Sequence, residues 1–318
     1  MLRIAQKNGR FHIEGHRGEA GFFDVMKWQF TSRRSRWPAW IDGPPYPRPP
    51  QRVEGNAMLA TWIGHSTVLI QTAGMNILTD PFLSLRASPF QWAGPKRVRP
   101  AALDAASLPP IDVILLSHNH YDHMDLPALA AIARHHQAHV VTPLGNARWI
   151  GRASRNLVID ELTWGGNILS GAVKIHLTPA WHWSKRNLWG ANTALWGAFA
   201  VEAPGGLIYF AADTGFGNGQ TFTDIRSTFG PARLSLLPIG AYEPRWFMRP
   251  QHMNPDEAAD AHLHLESSTS IAIHHSTVQL PDEAIDAPAM ALRLAMAERG
   301  IDAARFLVPD PGETVSIP

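Results

Sequence analysis

Four side chains that commonly bind metal ions lie within six consecutive positions, as His118, His120, Asp122 and His123. Alternate residues of an extended segment point the same way, so His118 and His120 are placed to hold one cation. Asp122 and His123 follow a turn and are placed to face a second cation. Imidazole and carboxylate ligands without thiolate favour Zn²⁺, with Fe or Mn as substitutes. A histidine-rich surface turn is the alternative, but this density directly after an apolar segment favours a metal site.

Three more residues with metal-binding side chains stand at the exits of other predicted strands: His182, Asp213 and His274. Taken singly, each is more typical of a structural histidine or of an ordinary Asp-Thr-Gly turn. Together with the first cluster they complete a ligand set for two metal ions. The combined pattern therefore predicts a two-metal site.

The apolar pattern predicts the elements that position the first cluster. The branched run at 111–116, preceded by Pro109-Pro110, is typical of a buried strand. It puts the cluster at the carboxyl end of a strand, where α/β sheets leave room for ligands. A helix is predicted directly afterwards, with Asp125 as its N-cap and Pro127 in its first turn.

Other segments complete the predicted architecture. Two short strands flank a Gly64-His65-Ser66 turn and a third follows, which suggests a meander. His65 is either a turn residue or a neighbour of the metal site. The stretch Ile239–Met248, continued by Gln251-His252, is too aromatic for an ordinary loop; we call it the wall segment and predict that it contacts the substrate. The predicted elements are strands at 59–63, 67–71 and 75–79, a surface loop at 86–110, a capped helix at 254–266 and a C-terminal helix at 282–299.

Composition limits the classes of protein that fit. The 318 residues include 45% hydrophobic residues, enough for a large core, and no cysteine, so any metal ligand must be His, Asp or Glu. A formal net charge of +1 gives no general case for nucleic-acid binding. No apolar run is long enough to span a membrane, and the N-terminus lacks the apolar region of a signal peptide. We therefore expect a cytoplasmic protein.

Residues 1–52 differ from the rest and are treated as an N-terminal arm ahead of a hydrolase domain at 53–318. The arm holds ten Lys and Arg against four acidic residues, a net charge of +6, and it ends in a proline-rich connector. Aromatic residues are interleaved with these charges, which suits anionic lipid headgroups and suggests peripheral membrane contact. An arm that packs its aromatic rings on the main domain is the alternative.

The ligand set resembles that of the metallo-β-lactamase superfamily, whose fold is an αββα four-layer sandwich. Longer matches resemble the N-acyl-phosphatidylethanolamine-hydrolysing phospholipase D family, and the wall segment points to this subgroup. The matching segments are 62–67, 78–81, 86–89, 94–97, 108–112, 117–125, 178–180, 182–183, 195–197, 213–215, 239–248, 251–252 and 272–274.

The resemblance implies a role for each ligand. One zinc ion is held by His118, His120 and His182, the other by Asp122, His123 and His274, and Asp213 bridges both. Substrate contacts are implied for Gln251 and His252, with His252 near the phosphate, and Tyr121 and Trp246 are further candidates. His275-Ser276 stand where the family has Trp-Gly, which leaves the choice between His274 and His275 open.

The implied activity is hydrolysis of a phosphodiester bond in an N-acyl-phosphatidylethanolamine-like phospholipid. Two cations about 3.5–4 Å apart would supply a bridging hydroxide, because metal binding lowers the pKa of water to roughly 7. The hydroxide would attack phosphorus in line, with Asp122 and Asp213 keeping it oriented. His252 stabilises the phosphate or protonates the leaving alkoxide.

Two other functions stay open at this point. One is a hydrolase of a small phosphodiester or a sugar-phosphate lactone, because the same two-metal centre serves attack on carbonyl and phosphoryl groups. The other is a non-catalytic metal-binding regulatory protein, against which the complete ligand set argues. Trp181, Trp183 and Trp246 favour an amphipathic substrate, nucleic acid is not expected, and formation of a homodimer is left open.

Overall fold

The computed structural model describes residues 2–14, 22–44, 46–187 and 189–318, and these build two seven-stranded sheets and a separate hairpin. Parts of the predicted arm, residues 1, 15–21 and 45, lie outside the described residues. The described helices are α1 (Phe22–Thr31), α2 (Leu126–His135), α3 (Ala147–Ala153), α4 (Gln220–Phe229), α5 (Arg245–Met248), α6 (Pro255–His264) and α7 (Ala287–Glu298).

The hairpin and the two sheets are formed by short strands along the whole chain. The first nine are β1 (Ile4–Lys7), β2 (Arg10–Ile13), β3 (Met58–Gly64), β4 (Thr67–Thr72), β5 (Met75–Thr79), β6 (Val113–Leu115), β7 (His139–Pro143), β8 (Val158–Leu162) and β9 (Asn167–Ser170). The others are β10 (Val173–Thr178), β11 (Ala198–Ala203), β12 (Gly206–Phe210), β13 (Ala232–Pro238), β14 (Thr269–Ile273), β15 (Phe306–Leu307) and β16 (Thr314–Ile317).

Each sheet combines antiparallel and parallel strands. The first sheet has the order β16-β3-β4-β5-β6-β7-β8, and the second has the order β15-β14-β13-β12-β11-β10-β9. In the first sheet β3, β4 and β5 form the antiparallel meander that the sequence predicts, and β6 pairs with β5 in parallel. In the second sheet β12, β13 and β14 are parallel neighbours, so their carboxyl ends share one edge.

Alternating side chains of the first sheet divide between two hydrophobic cores. Ile77 and Val113 belong to a core shared with the second sheet. Their neighbours Leu78 and Ile114 pack instead with Leu129 of α2, in a separate core that also includes α3. Since α4, α6 and α7 add buried residues to the second sheet's core, helices cover both outer faces. The predicted αββα sandwich is confirmed.

Several predicted elements are present with their local signals. The Asp125 side chain accepts a hydrogen bond from the Ala128 amide at 3.1 Å and caps α2. The predicted capping box of α6 is complete, because the Asn254 side chain accepts from the Glu257 amide and Glu257 accepts in return. Both caps satisfy backbone donors that a helix start leaves unpaired.

Two predicted boundaries are wrong. The strand predicted at 111–116 is regular only over Val113–Leu115. The C-terminal helix begins at Ala287 rather than at 282, because Asp282 and Glu283 hydrogen-bond to the arm and to the wall segment. These contacts hold the two residues in a loop.

The N-terminal arm buries some of its aromatic rings and exposes others. Phe11 lies in the main core, and the indole N–H of the buried Trp37 donates to the Glu283 carbonyl at 2.8 Å. Phe23 and Phe30 on α1, in contrast, are 85% and 81% exposed. The alternative in which the arm packs aromatic rings on the main domain therefore holds for Phe11 and Trp37, whereas membrane contact and the domain boundary after residue 52 stay predictions. None of the described helices is long and apolar enough to cross a membrane.

Candidate metal centre

The predicted ligands come from both sheets and converge at the carboxyl ends of their strands. The cluster at 118–123 follows β6 of the first sheet. The other predicted ligands follow strands of the second sheet: His182 after β10, Asp213 after β12 and His274 after β14. His120 is part-buried and the other six are buried, so the site lies below the surface between the two sheets.

The first group of ligands consists of His118, His120 and His182. His120 Nδ1 lies 2.8 Å from His118 Nε2 and 3.3 Å from His182 Nε2. Nitrogens bound tetrahedrally to zinc at 2.0–2.1 Å are about 3.3 Å apart. The spacing of these three nitrogens therefore fits the coordination of one ion.

The second group consists of Asp122, His123 and His274. Asp122 Oδ2 lies 3.4 Å from His123 Nε2 and 3.5 Å from His274 Nε2. These separations also match ligands around one small cation. One carboxylate and two imidazoles are hard or borderline donors of the kind that Zn²⁺, Fe and Mn accept.

Asp213 joins the two groups. Its Oδ2 atom lies 3.2 Å from both His123 Nε2 and His274 Nε2 of the second group. The same oxygen lies 3.6 Å from His182 Nε2 and 4.0 Å from His118 Nε2 of the first group. One carboxylate is thus within reach of ions in both groups, and the donor set fits a two-metal centre.

Burial keeps the first group neutral. It lowers the pKa of His118 well below its usual range, that of His120 to about 4 and that of His182 to about 3. Metal ions bind the neutral imidazole, so these side chains do not need to release a proton near neutral pH.

Charge dominates the second group. Burial lowers the pKa of His274, but Asp213 and Asp122 outweigh it and raise the pKa to about 9. The same two carboxylates hold the pKa of His123 well above its ordinary value. Burial raises the pKa of each carboxyl, and the neighbouring histidines more than reverse this, so both pKa values fall well below their usual range.

Asp80 supports the site from behind, and sequence reasoning did not single it out. Its Oδ2 atom accepts a hydrogen bond from His123 Nδ1 at 2.7 Å and one from Ser117 Oγ at 2.5 Å. The Ser117 amide donates to Asp80 Oδ1 at 2.7 Å. A carboxylate that holds the far nitrogen of a histidine fixes which ring nitrogen faces a metal. The available signal was its position directly after the strand predicted at 75–79.

The structure distinguishes His274 from His275. His274 lies in the second group, whereas the His275 ring stacks on Trp62 with ring centres 4.7 Å apart. His275 Nδ1 lies 3.0 Å from Ser276 Oγ, and His275 belongs to none of the candidate metal-binding clusters among the described residues. His274 is therefore the candidate ligand.

The predicted substrate residues Gln251 and His252 lie at the edge of the first group. His252 is buried, and its ring centre lies 5.2 Å from that of His182. Burial lowers the pKa of His252 to about 3. The Gln251 carbonyl accepts a hydrogen bond from His182 Nδ1 at 3.1 Å. The wall segment thus orients a candidate metal ligand through its backbone.

The other two predicted substrate residues lie farther out. The Tyr121 hydroxyl donates to the Arg186 carbonyl at 2.7 Å, and the Arg186 guanidinium covers the Tyr121 ring. Arg186 therefore holds both the hydroxyl and one face of the ring, and substrate contact by Tyr121 stays a prediction. Trp246 is 46% exposed on α5, and Lys27 Nζ lies 4.5 Å from the centre of its ring.

The pKa shifts predict how pH changes the stability of the metal-free protein. The raised pKa of His274 stabilises the folded state. This stabilisation is fully present below pH 6.5, the ordinary pKa of histidine, and is lost as the pH rises through about 9. The lowered pKa values of His118, His120 and His182 have the opposite effect, destabilising the folded state as the pH falls below 6.5. We expect the Tm of chelated protein to be highest near 6.5. Thermal unfolding with and without EDTA measures this, and a flat profile of the chelated protein would contradict it.

We expect Asp80→Asn to weaken metal binding about 10- to 100-fold, because His123 loses the carboxylate that orients it. Competition with a chromophoric chelator measures the affinity. Asp160→Asn is a matched control, since Asp160 pairs with His139 at 2.7 Å outside the site. Equal losses in the two variants would show that the role of Asp80 is not specific to the metal centre.

Comparison with known proteins places the chain in a family. Residues 75–275 match a family model described as "Beta-lactamase superfamily domain". The chain is 40% identical over 232 residues to the N-acyl-phosphatidylethanolamine-hydrolyzing phospholipase D 1 of Caenorhabditis elegans, over 70% of this chain and 65% of that one. The chain thus spans slightly less than two thirds of this relative.

Two further proteins are similar to the chain, one in sequence and the other in fold alone. A metal-dependent hydrolase of Ligilactobacillus salivarius is 30% identical over 222 residues, which cover 69% of this chain and 86% of that one. The crystal structure of an isothiocyanate hydrolase from Delia radicum gut bacteria has the same fold, with a TM-score of 0.64 and 22% sequence identity. The match covers 81% of this chain and 98% of that one. The predicted resemblance to the metallo-β-lactamase superfamily and to N-acyl-phosphatidylethanolamine-hydrolysing phospholipase D is confirmed, and the chain belongs to the β-lactamase superfamily.

Proposed function

We propose that the chain is a zinc-dependent phosphodiesterase of phospholipase D type that hydrolyses N-acyl-phosphatidylethanolamine-like phospholipids. The observation that carries this proposal is the Asp213 carboxylate between two groups of candidate ligands, directly beside the wall segment. The name of the C. elegans relative supports the choice of substrate class.

The proposed cofactors are two Zn²⁺ ions, with Fe or Mn as substitutes. One is assigned to His118, His120 and His182, the other to Asp122, His123 and His274, and Asp213 is shared. Ions of this kind lower the pKa of bound water to roughly 7 and stabilise negative charge on phosphoryl oxygens.

The chain's own residues then orient the reactants. Asp122 and Asp213 remain ionised because the histidines depress their pKa values, so each can accept a hydrogen bond from the nucleophile. His252 is neutral near pH 7, since burial lowers its pKa to about 3. A neutral imidazole is suited to donate a hydrogen bond to the phosphate, and this favours stabilisation of the phosphate over proton transfer to the alkoxide.

Arg245 ties the wall segment together behind His252. Its guanidinium donates to the His252 carbonyl at 3.0 Å and to the Glu257 carboxylate at 2.9 and 2.8 Å. The exposed Trp246 follows directly in the sequence. The wall segment thus carries both His252, whose backbone Arg245 holds in place, and the exposed Trp246 indole. This combination supports a substrate that has both a phosphate and an apolar part.

The arm supports peripheral contact with a membrane. Phe23 and Phe30 are exposed on α1, where Lys27 is also exposed. The Trp28 ring stacks on Phe247 of the wall segment with ring centres 4.9 Å apart. An arm that inserts aromatic rings among anionic headgroups would hold the wall segment, and with it the site, close to the lipid.

Products of the metal-loaded protein test the proposed reaction. We expect mixed micelles of N-acyl-phosphatidylethanolamine to yield phosphatidic acid and N-acylethanolamine, identified by mass spectrometry, only when the protein is not chelated. Protein that holds two ions but yields no product would contradict the substrate class. It would favour a small phosphodiester or a sugar-phosphate lactone instead.

Two variants separate metal binding from substrate binding. We expect Asp213→Ala to lose most of the bound metal and the activity, because it removes the carboxylate shared by both groups. We expect His252→Ala to retain metal and to lose about 10²- to 10³-fold in rate, because it removes a hydrogen-bond donor to the phosphate. Metal content by mass spectrometry accompanies the rate measurement. Loss of metal from His252→Ala would make His252 a ligand, which its position near His182 and Asp213 allows.

Replacing Phe23 and Phe30 together with serine tests membrane contact. We expect weaker co-sedimentation with liposomes that contain phosphatidylserine, because two exposed aromatic rings no longer enter the interface. Serine at Met290 and Leu294 is the control, since these side chains are 51% and 67% exposed on α7. Equal binding by both double variants and the native chain would exclude a role of these two rings in membrane contact.

A further inference from the structure

We infer that His65 is a positioning residue of the metal centre. It connects Asp122 and His274, two candidate ligands of the second group that come from different sheets. The inference rests on the two-metal assignment proposed above but not on the substrate. His65 is buried in the turn between β3 and β4, and the sequence alone left it either a turn residue or a neighbour of the site.

The side chain of His65 reaches the ligand from the first sheet. Its Nε2 atom lies 3.0 Å from Asp122 Oδ2, the oxygen that faces His123 and His274. Because an ionised carboxylate has only acceptors, this contact requires a proton on Nε2, and His65 is the donor. Carboxylates that bind metals are themselves held by hydrogen bonds, which fix their orientation.

The backbone of His65 reaches the ligand from the second sheet. Its carbonyl accepts a hydrogen bond from the His274 amide at 3.0 Å. Its own amide donates a hydrogen bond to Thr277 Oγ1 at 2.8 Å, and Thr277 belongs to the same loop as His274. The rings of His65 and His274 are in contact, with centres 4.2 Å apart. One residue therefore contacts both Asp122 and the loop that carries His274.

Backbone conformation shows why such a contact is needed. Asp122 follows β6 in a turn, and His274 has a φ of 59°, so neither ligand is held by the ladder of a strand. His65 itself has a φ of 56°, in the left-handed region that is unfavourable for residues with a β-carbon. Strained conformations of this kind persist where surrounding contacts determine them, and here the contacts lead to the metal ligands.

The test compares metal binding in His65→Ala, His65→Gln and the native chain. Chelated proteins are titrated with Co²⁺ while visible absorption reports the stoichiometry, the affinity and the coordination number of each ion. Circular dichroism of the metal-free proteins checks that each variant folds. His176→Gln is the matched control, because His176 is a buried histidine that bonds to the Glu202 carboxylate at 2.6 Å on β10 and β11.

We expect the native protein to bind two Co²⁺ ions. In His65→Ala we expect the ion held by the second group to bind about 10- to 100-fold more weakly. His65→Gln retains a side-chain N–H donor, and we expect it to recover part of that affinity with an unchanged absorption spectrum. The His176→Gln control should bind both ions as the native chain does.

Three results would overturn the inference. Unchanged affinity in His65→Ala would mean that His65 has only a structural role in its turn. Stronger absorption per Co²⁺ in His65→Gln would mean that an ion has lost a ligand, and His65 would then be a ligand itself. Native protein that binds a single ion would remove the two-metal assignment beneath this inference, whereas a lack of phospholipase activity would leave it intact.

Discussion

The structure depends on the burial of two carboxylates, Asp122 and Asp213, among imidazoles that would otherwise repel one another when charged. A buried charge is costly unless it is paired, and the pKa values of both groups record this competition. In the metal-free protein, His123 and His274 supply the compensating charge as protonated rings. Bound metal ions would supply that positive charge in place of the two protons. Metal affinity, pH and stability are therefore linked at this site.

This arrangement requires both sheets. The first sheet carries the 118–123 cluster, Asp80 and His65, and the second sheet carries the candidate ligands that follow β10, β12 and β14. The core between the sheets fixes their separation, since its residues alternate with those that face the outer helices. The hydrogen bond from the His274 amide to the His65 carbonyl connects residues of the two sheets directly.

The wall segment connects this centre to the arm. Gln251 orients His182 through its carbonyl, Arg245 holds the backbone at His252, and Phe247 packs against Trp28 of α1. The loop at Asp282 strengthens the connection, because its carboxylate accepts hydrogen bonds from both Trp28 and Ser32. The arm and the metal centre thus both contact the wall segment.

The sequence by itself determined what depends on near neighbours in the chain. The spacing of His118, His120, Asp122 and His123 predicted a metal cluster, and the Asp125 cap and the capping box of α6 were predicted from local pattern, because each involves residues a few positions apart. Tertiary structure decided what depends on distant partners. Asp80 and His65 contact residues 43 and 57 positions away. The stacking of His275 on Trp62 left His274 as the ligand candidate, and contacts with the arm kept residue 282 out of α7. No local periodicity encodes such contacts, since they arise only when the two sheets and the arm are packed together.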